Sequence, residues 1–481
     1  MRLKKAFSTE QILLWLTFLS IIFLLFYRLG STYLTNWDEA WYADIARNML
    51  HNGNFLTPIW NHHPFFDKPP LYFWLETLSF KIFGVTEFAA RFFSSFSALG
   101  ACVITYLTAK LLFNKKAALI SFLIIGSTIG FLYRSRTGNL DAMLTFFIMS
   151  SIYFFYRGLE SSKYFIWMGI SLALGFLTKG AVVFIFPVMA LFYYVILKVT
   201  ENASFTKVQK DDIKWLVIGA GIGVGVPLLW FLISYLINGQ QFLTGFSHNQ
   251  IGKISNSGNF LQNFSLEYIN YLKSGQKFWF IIFIPAFFWS LLKWRDNRMI
   301  IIAFFLIYFL ILSVSENKSN WFLMPLYPIT ALMTGDFLAA TELLDKKWLS
   351  FGVLMLVGVL ALTQVYHFRS EFIVPETETD EVEVALAAKQ MTSPNDFLYL
   401  TGLSYPTIIY YSDRESYATF GGQNAQDTFW VLPGDSWQQI LQKSQVYIIT
   451  SDSEMNANPY FHGYNFQTLF QSGDRKLLKK L

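Results

Sequence analysis

A polytopic α-helical membrane domain followed by a small C-terminal α/β domain is the architecture this sequence predicts, and three observations predict it. Of 481 residues, 54% are hydrophobic and only 14% charged, whereas a soluble domain carries about 25% charged residues. The apolar residues fall into about eleven runs near the length of a membrane span, which takes ~20 residues as a helix. Basic residues gather in every second connection between those runs, the pattern membrane insertion leaves on the cytoplasmic side. The mean hydropathy of +0.38 is moderate because long loops and a polar tail dilute the spans.

Taken in order, the candidate spans are residues 11–29, 88–113, 117–133, 140–156, 164–177, 182–199, 215–237, 277–292, 299–314, 321–340 and 348–367. The N-terminus has a basic start and an apolar core without a small-residue cleavage site, so it reads as a retained first span. Arg2, Lys4 and Lys5 precede that span, and Lys110, Lys115 and Lys116 follow the second. Arg157 and Lys163, then Lys198, Lys207, Lys210 and Lys214, mark the next basic connections. Lys293, Arg295 and Arg298, then Lys346 and Lys347, complete the alternation. It places the N-terminus in the cytoplasm, and residues 30–87, residues 238–276 and the tail outside. Residues 1–367 are therefore predicted to span a membrane and residues 368–481 to form an extracytoplasmic domain.

Beyond Arg369 the composition becomes that of a soluble α/β domain. A helix is predicted over 382–391, strands over 397–400 and 446–450, and a helix over 437–443 between strands. Strands 467–470 and 476–481 flank Ser472-Gly473-Asp474, a hairpin signal. Gly421-Gly422 is too little for a phosphate-binding loop, so the tail reads as a structural or acceptor-docking module. The chain's net charge of +5 resides in short loops and does not point to nucleic acid. The single cysteine, Cys102, lies in an apolar run, which excludes an internal disulfide and a cysteine-based metal site.

Candidate chemistry concentrates at the ends of spans. Asp38 and Glu39 follow the first span, where Asn36 and Glu39 have capping-box spacing. Acids in a first helical turn also complement the helix dipole, which accounts for Glu39 and leaves Asp38 as the catalytic candidate. A helix over 40–50 would present Tyr42, Ile45 and Met49 on one face and lie in the membrane interface. Asp67-Lys68-Pro69-Pro70 opens a second interfacial helix, 71–83, with Asp67 placed to cap it. Lys68 would then be a cation at a helix N-terminus, where it calls for an anionic ligand such as phosphate. Arg91 is either a second anion anchor or a snorkelling side chain.

Arg134 and Arg136 stand in an external loop against the positive-inside trend, which a phosphate partner would explain. Asp141 either caps the following helix or pairs with an arginine. Lys179 and Lys318 are further external cations, the latter beside Glu316. His248 and Asp67 could contribute to a divalent-metal site; no cofactor is otherwise implied. Walker, HExxH and Gly-x-Ser-x-Gly motifs do not occur in the sequence.

In their order, these motifs resemble the bacterial polyprenyl-phosphate-dependent glycosyltransferases of the GT-C fold, the aminoarabinose lipid A transferase and protein O-mannosyltransferase group. The resemblance rests on Asp38-Glu39, Phe66-Asp67-Lys68-Pro69-Pro70, Gly84 with Arg91, Asp141, and Gly175-Phe176-Leu177-Thr178-Lys179-Gly180. It continues in Ser315-Glu316-Asn317-Lys318 and Met324-Pro325-Leu326-Tyr327-Pro328. It implies inverting transfer of a sugar from an undecaprenyl-phosphate carrier to a lipid A, protein or glycan acceptor on the external face of a bacterial plasma membrane. Asp38 would be the catalytic carboxylate, supported by Asp141. Lys68, Arg136, Lys179, Lys318 and Arg91 would hold the donor phosphate, with Glu39 and Asp67 in support. That group tends to have Glu-His followed by arginine where this chain has Phe246-Ser247-His248-Asn249-Gln250. The competing class, a lipid-phosphate transporter or flippase, would need acids or broken-helix repeats at mid-bilayer, whereas most ionisable residues here lie at span ends.

Overall fold

The computed structural model describes residues 9–190, 210–247, 263–293, 298–340, 347–373, 377, 379–401, 406–420 and 431–481. The chain divides into two compact units. One takes Met1–Leu29, Phe66–Leu75 and Arg91–Val374; the other takes Gly30–Phe65, Glu76–Ala90 and Pro375–Leu481.

The first unit is helical. Among the described residues three helices are long and apolar enough to cross a membrane: Glu87–Leu112, Asp141–Glu160 and Ile213–Ser247. Counting each of two bent pairs as one span raises the total to five. Glu10–Phe26, Tyr164–Lys179, Ala181–Ala190, Met299–Val314 and Phe351–His367 are shorter apolar helices. Among the described residues, several of the apolar runs read from hydropathy fold as short or broken helices. The run predicted as 182–199 extends beyond the described residues.

In chain order, α1 is Thr9–Phe26, α2 Asp38–Asn52, α3 Leu71–Phe83, α4 Glu87–Leu112, α5 Lys115–Ser127, α6 Ile129–Ser135, α7 Asp141–Glu160 and α8 Tyr164–Lys179. The α5–α6 pair bends by 61° and the pair Glu267–Gln276 and Phe278–Leu292 by 120°. At the first break, Thr128 is extended at φ −74° and ψ 115°, and its hydroxyl donates back to the Ile124 carbonyl at 2.7 Å. Such back-bonding bends helices. A break within a bilayer must still satisfy its freed backbone groups. Gln364 does this for both: its amide donates to the Ser127 carbonyl at 2.6 Å and accepts from the Phe278 N–H at 2.9 Å.

The second unit joins α2 to the tail. Ala40, Ala43 and Ala46 of α2 share a core with Phe80, Ala89, Val382, Ala385, Ile408 and Tyr411. Strands β1 (Ile59–Trp60) and β2 (His63–Pro64) form a two-residue ladder. Between them Asn61, at φ +47°, acts as a surrogate strand. Its amide donates to the Ser416 carbonyl at 2.8 Å and accepts from the Ser416 N–H at 2.9 Å. Arg47 reaches Asp44, Asp413 and the Tyr410 carbonyl.

The tail forms a six-stranded mixed sheet from β3 (Leu398–Thr401), β4 (Ser416–Phe420), β5 (Val431–Pro433), β6 (Tyr447–Ser451), β7 (Phe466–Ser472) and β8 (Arg475–Lys480), in the order β5-β4-β3-β6-β8-β7. The first four are parallel in that order. The predicted β7–β8 hairpin is present, turning at Gly473 with φ +54°. The predicted helix 382–391 is Thr379–Met391, whereas that over 437–443 shortens to Trp437–Ile440.

Candidate active site

Helices α7 and α8 are antiparallel neighbours joined by a three-residue connection, so the start of one lies beside the end of the other. Asp141 is the first residue of α7 and Lys179 the last of α8. Each charge therefore complements the dipole of its own helix, and the two pair directly. Gly180, at φ 84° and ψ −151°, stops α8 in a backbone region open to glycine. Asn139 sets the entry to α7: its side chain accepts from the Asp141 N–H at 2.8 Å and donates to the Arg134 carbonyl at 2.6 Å. Arg134 then donates from Nε and Nη2 to Asp141 Oδ2, both at 2.8 Å.

The Asp141 carboxylate is thus shared between two cations. Its side chain is 3% exposed, against 14% for Arg134 and 19% for Lys179. Aromatic rings cover the outer faces of the cations: Arg134 lies 5.0 Å from the Trp321 ring centroid and Lys179 5.1 Å from that of Phe322. Both rings belong to the short 3-10 turn Asn320–Leu323. Just before it, Lys318 donates to the Asn263 and Ser315 carbonyls at 2.9 and 2.8 Å. The contest over Asp141 has no single winner, since it both begins the helix and pairs with Arg134. Among these contacts two cations meet one carboxylate, an excess of positive charge at partly exposed guanidinium and ammonium groups.

Arg136 is used differently. Its guanidinium donates to the carbonyls of Phe372, Leu24 and Tyr27 at 2.7, 2.5 and 2.8 Å, tying three chain segments together. Burial, with Arg91 nearby, pushes it down to about 10, so it stays cationic at neutral pH. Arg91 is itself buried and donates to the Leu29 carbonyl at 2.9 Å, an inward anchor rather than a snorkelling side chain. Lys68 donates to Asp67 at 2.7 Å, so the anion beside this lysine is its own neighbour.

Asp38 opens α2 half-buried, with the Tyr42 hydroxyl donating to it at 3.2 Å. Ahead of it, Trp37 adopts φ 64° and ψ −121°, a strained conformation for a bulky residue. The Asn36–Glu39 capping box does not form: the helix cap falls on Trp37 without a side-chain bond. Glu39 instead reaches one residue further back, accepting from the Thr35 N–H at 2.6 Å and its hydroxyl at 3.0 Å. It thereby braces the turn that presents Asp38. Tyr42, Ile45 and Met49 are buried as their spacing predicts.

Sequence reasoning passed over Asn139, Trp321 and Glu76. Asn139 had a signal, an Asn two residues before a helix start; Trp321 had none. Glu76 is buried on α3 with neither carboxylate oxygen hydrogen-bonded, and burial, then the charge of Glu39, raises its carboxyl well above the usual range. His248 lies outside the described residues. Among the described residues no group of three or more His, Cys, Asp or Glu could hold a metal.

Comparison with known proteins places this geometry. Residues 67–231 match the family described as dolichyl-phosphate-mannose-protein mannosyltransferase. An uncharacterized protein of Aquifex aeolicus is 33% identical over 355 residues, which cover 72% of this chain and 68% of that one. The undecaprenyl phosphate-alpha-4-amino-4-deoxy-L-arabinose arabinosyl transferase 2 of Pseudomonas fluorescens is 24% identical over 384 residues, 76% of this chain and 64% of its own length. The structure of ArnT from Cupriavidus metallidurans bound to undecaprenyl phosphate superposes with a TM-score of 0.81 at 18% identity, covering 97% of both chains. The archaeal oligosaccharyltransferase AglB from Archaeoglobus fulgidus follows at 0.65 and 14% identity, covering 93% of this chain and 70% of its own. The fold is that of the GT-C membrane glycosyltransferases. Over residues 67–231 the chain matches the mannosyltransferase family model, and over nearly its whole length it shares the fold of ArnT.

Proposed function

We propose that the chain moves a sugar from undecaprenyl phosphate to a lipid A, protein or glycan acceptor at the external membrane face, with inversion at the anomeric carbon. The observation that carries the reading is the Asp141 carboxylate shared by Arg134 and Lys179. As the bond from the anomeric carbon to the phosphate oxygen breaks, its electron pair passes to the phosphate. Cations already ordered by a buried carboxylate stabilise that charge without reorganising. Lys68 and Lys318 add cations of the same kind. Asp141 acts through the cations it orients, and Arg91 and Arg136 act through the backbone they tie together.

Asp38 is proposed as the general base that takes the proton from an acceptor hydroxyl as its oxygen attacks. For an acceptor that is already an ionised phosphate, Asp38 positions it or stabilises positive charge on the sugar. Strain at Trp37 and the Glu39 brace favour a fixed carboxylate there. Asp67, with an ammonium at 2.7 Å, fits a metal-ligand role poorly, and no step here runs through a metal. The finer topology, eleven spans with interfacial α2 and α3 and a cytoplasmic N-terminus, belongs to the same proposal, supported by the alternation of basic loops.

The test is Asp38→Asn in the full chain with a polyprenyl-phosphate-linked sugar. Transfer should fall to background while the protein still extracts and elutes as folded material, and wild-type turnover would sink the mechanism. Mass spectrometry of lipid A, glycoproteins and surface glycans from a deletion strain should show one missing sugar and thereby name the acceptor.

A further inference from the structure

Trp37 stands immediately before the proposed base, in a conformation that its side chain makes costly. Its φ of 64° and ψ of −121° match the first central position of a type II′ turn, about +60° and −120°, where glycine is the usual residue. Glycine would aim Asp38 equally well and without strain, because backbone dihedrals and not the indole set the direction in which α2 begins. The need to present Asp38 therefore leaves the choice of tryptophan unexplained. Backbone strain of this kind clusters at active sites and ligand clamps.

Packing accounts for only part of that choice. Trp41, one helical turn further on, is tucked against Trp60 and Phe65 with ring centroids 4.9 and 5.3 Å away. Trp37 is instead 46% exposed. The covered part of its ring offsets some of the strain, but a leucine or methionine would bury a similar apolar area there. What only the indole adds is a broad open aromatic surface one residue from a carboxylate. Anchoring in the membrane interface is the ordinary use of an exposed tryptophan, yet an anchor needs depth and no particular backbone conformation.

The neighbours select the ligand. Consecutive Cα atoms lie about 3.8 Å apart, so a group resting on the Trp37 ring can reach the Asp38 carboxylate, to which the Tyr42 hydroxyl donates at 3.2 Å. The main chain of Trp37 is occupied: its N–H donates to Asn36 Oδ1 at 2.9 Å and its carbonyl accepts from the Trp41 N–H at 2.9 Å. An extended peptide, held largely through main-chain hydrogen bonds, finds no ladder at this residue. An acyl chain would use the ring and not the carboxylate. A pyranose has a surface for each: a face of weakly positive C–H groups for the electron-rich indole, and hydroxyls at its edge for the acid.

We infer that Trp37 is a specificity-determining residue for the acceptor, its indole stacking on a pyranose ring whose hydroxyl is turned to Asp38. The inference rests on reading Asp38 as the base that meets the acceptor, and it narrows that acceptor to one carrying a sugar.

Binding read without turnover tests it, by titrating the full-length protein in detergent with the acyl-free lipid A disaccharide. Trp37→Gly should weaken the disaccharide Kd about tenfold and Trp37→Phe should weaken it less. The Kd of the polyprenyl-phosphate-linked sugar should stay at the wild-type value in both. Trp37→Gly should also melt above Trp37→Ala, the reverse of the usual order, so its lost affinity is not a lost fold. In transfer assays the defect should fall on the acceptor KM rather than on kcat. An unchanged disaccharide Kd in Trp37→Gly would overturn the proposal, as would a loss confined to the donor. So would a wild-type protein that does not bind the disaccharide, whether or not it binds a threonine peptide, or a Trp37→Ala variant as stable as Trp37→Gly. Failure of Asp38 as the base is a separate result: Asp38→Asn would then turn over normally, with the disaccharide Kd still dependent on Trp37.

Discussion

Asp141→Asn removes one negative charge and leaves Arg134 and Lys179 facing each other. Both cations are mostly buried, with side chains 14% and 19% exposed, around a carboxylate that is 3% exposed. Breaking a fully buried ion pair by deleting one partner costs about 3–5 kcal/mol. The cations here retain a little solvent, which brings the expected loss to about 2–4 kcal/mol. For a chain of this size that lowers the unfolding temperature on the order of 5 °C. The decisive assay is a double-mutant cycle with Lys179→Met, read as apparent melting temperature in one detergent at one scan rate. Lys179→Met removes the ammonium while keeping much of the stem against Phe322. Once the ammonium is gone, losing the carboxylate should cost less, so the double variant should be more stable than the sum of the singles predicts, by about 1–3 kcal/mol. Additive behaviour, or an Asp141→Asn variant as stable as wild type, would refute the claim that the carboxylate orders these cations.

Lys68→Ala should raise the Kd for the lipid-phosphate donor about tenfold or more, the usual worth of a charged hydrogen bond; an unchanged Kd would exclude Lys68 from donor binding. Gln364→Leu strands the Ser127 carbonyl and the Phe278 N–H at two helix breaks. It should cost about 2–5 kcal/mol, with Gln364→Glu, which keeps only the acceptor, falling in between by thermal shift. Glu76 gives a pH signature. Its folded carboxyl is raised by burial and then by Glu39, so the folded state holds a proton that the unfolded chain releases above about pH 4.3. Its contribution to stability is then lost as pH rises from there through the raised folded value. Glu76→Gln should flatten that decline and melt higher than wild type at about pH 8; superimposable profiles from about pH 5 to 8 would contradict it.

What the sequence reveals here is what depends on local pattern. Helix α7, the β7–β8 hairpin and the alternation of basic loops follow from residues close in sequence. The helix breaks do not. Gly126-Ser127-Thr128 interrupts the apolar run, but nothing near it announces that Gln364, far along the chain, will satisfy the Ser127 carbonyl. The packing of α2 with the tail is equally hidden, since it hangs on pairs such as Asn61 with Ser416 and Arg47 with Asp413. Strands β4 and β5 are short and carry no clear alternation. At the site, the arginine pair in the loop before α7 was conspicuous as a violation of the charge rule. Which arginine meets Asp141 and which meets backbone carbonyls is decided by helix geometry: Arg134 takes the carboxylate, and Arg136, the one the sequence nominates for the donor phosphate, takes carbonyls.

The pairing of Asp141 with Lys179 shows why motifs that are weak singly become specific in order. They stand 38 residues apart, a separation set by two helices of 20 and 16 residues and the connection between them. At 1.5 Å per residue the helices measure about 30 and 24 Å. The shorter one therefore stops about 6 Å below the level of Asp141 if both leave the connection together. A cation on a long flexible stem covers such a gap, and an ammonium accepts the varied approach angles of a span-end contact better than a fixed planar fork. The guanidinium in the triad comes instead from Arg134, seven residues before Asp141 on a turn fixed by Asn139. Its position is set rigidly enough for two nitrogens to address one carboxylate oxygen. The order of acid, then distant lysine ended by glycine, is the linear trace of one helical hairpin closing a charged site at a single membrane surface.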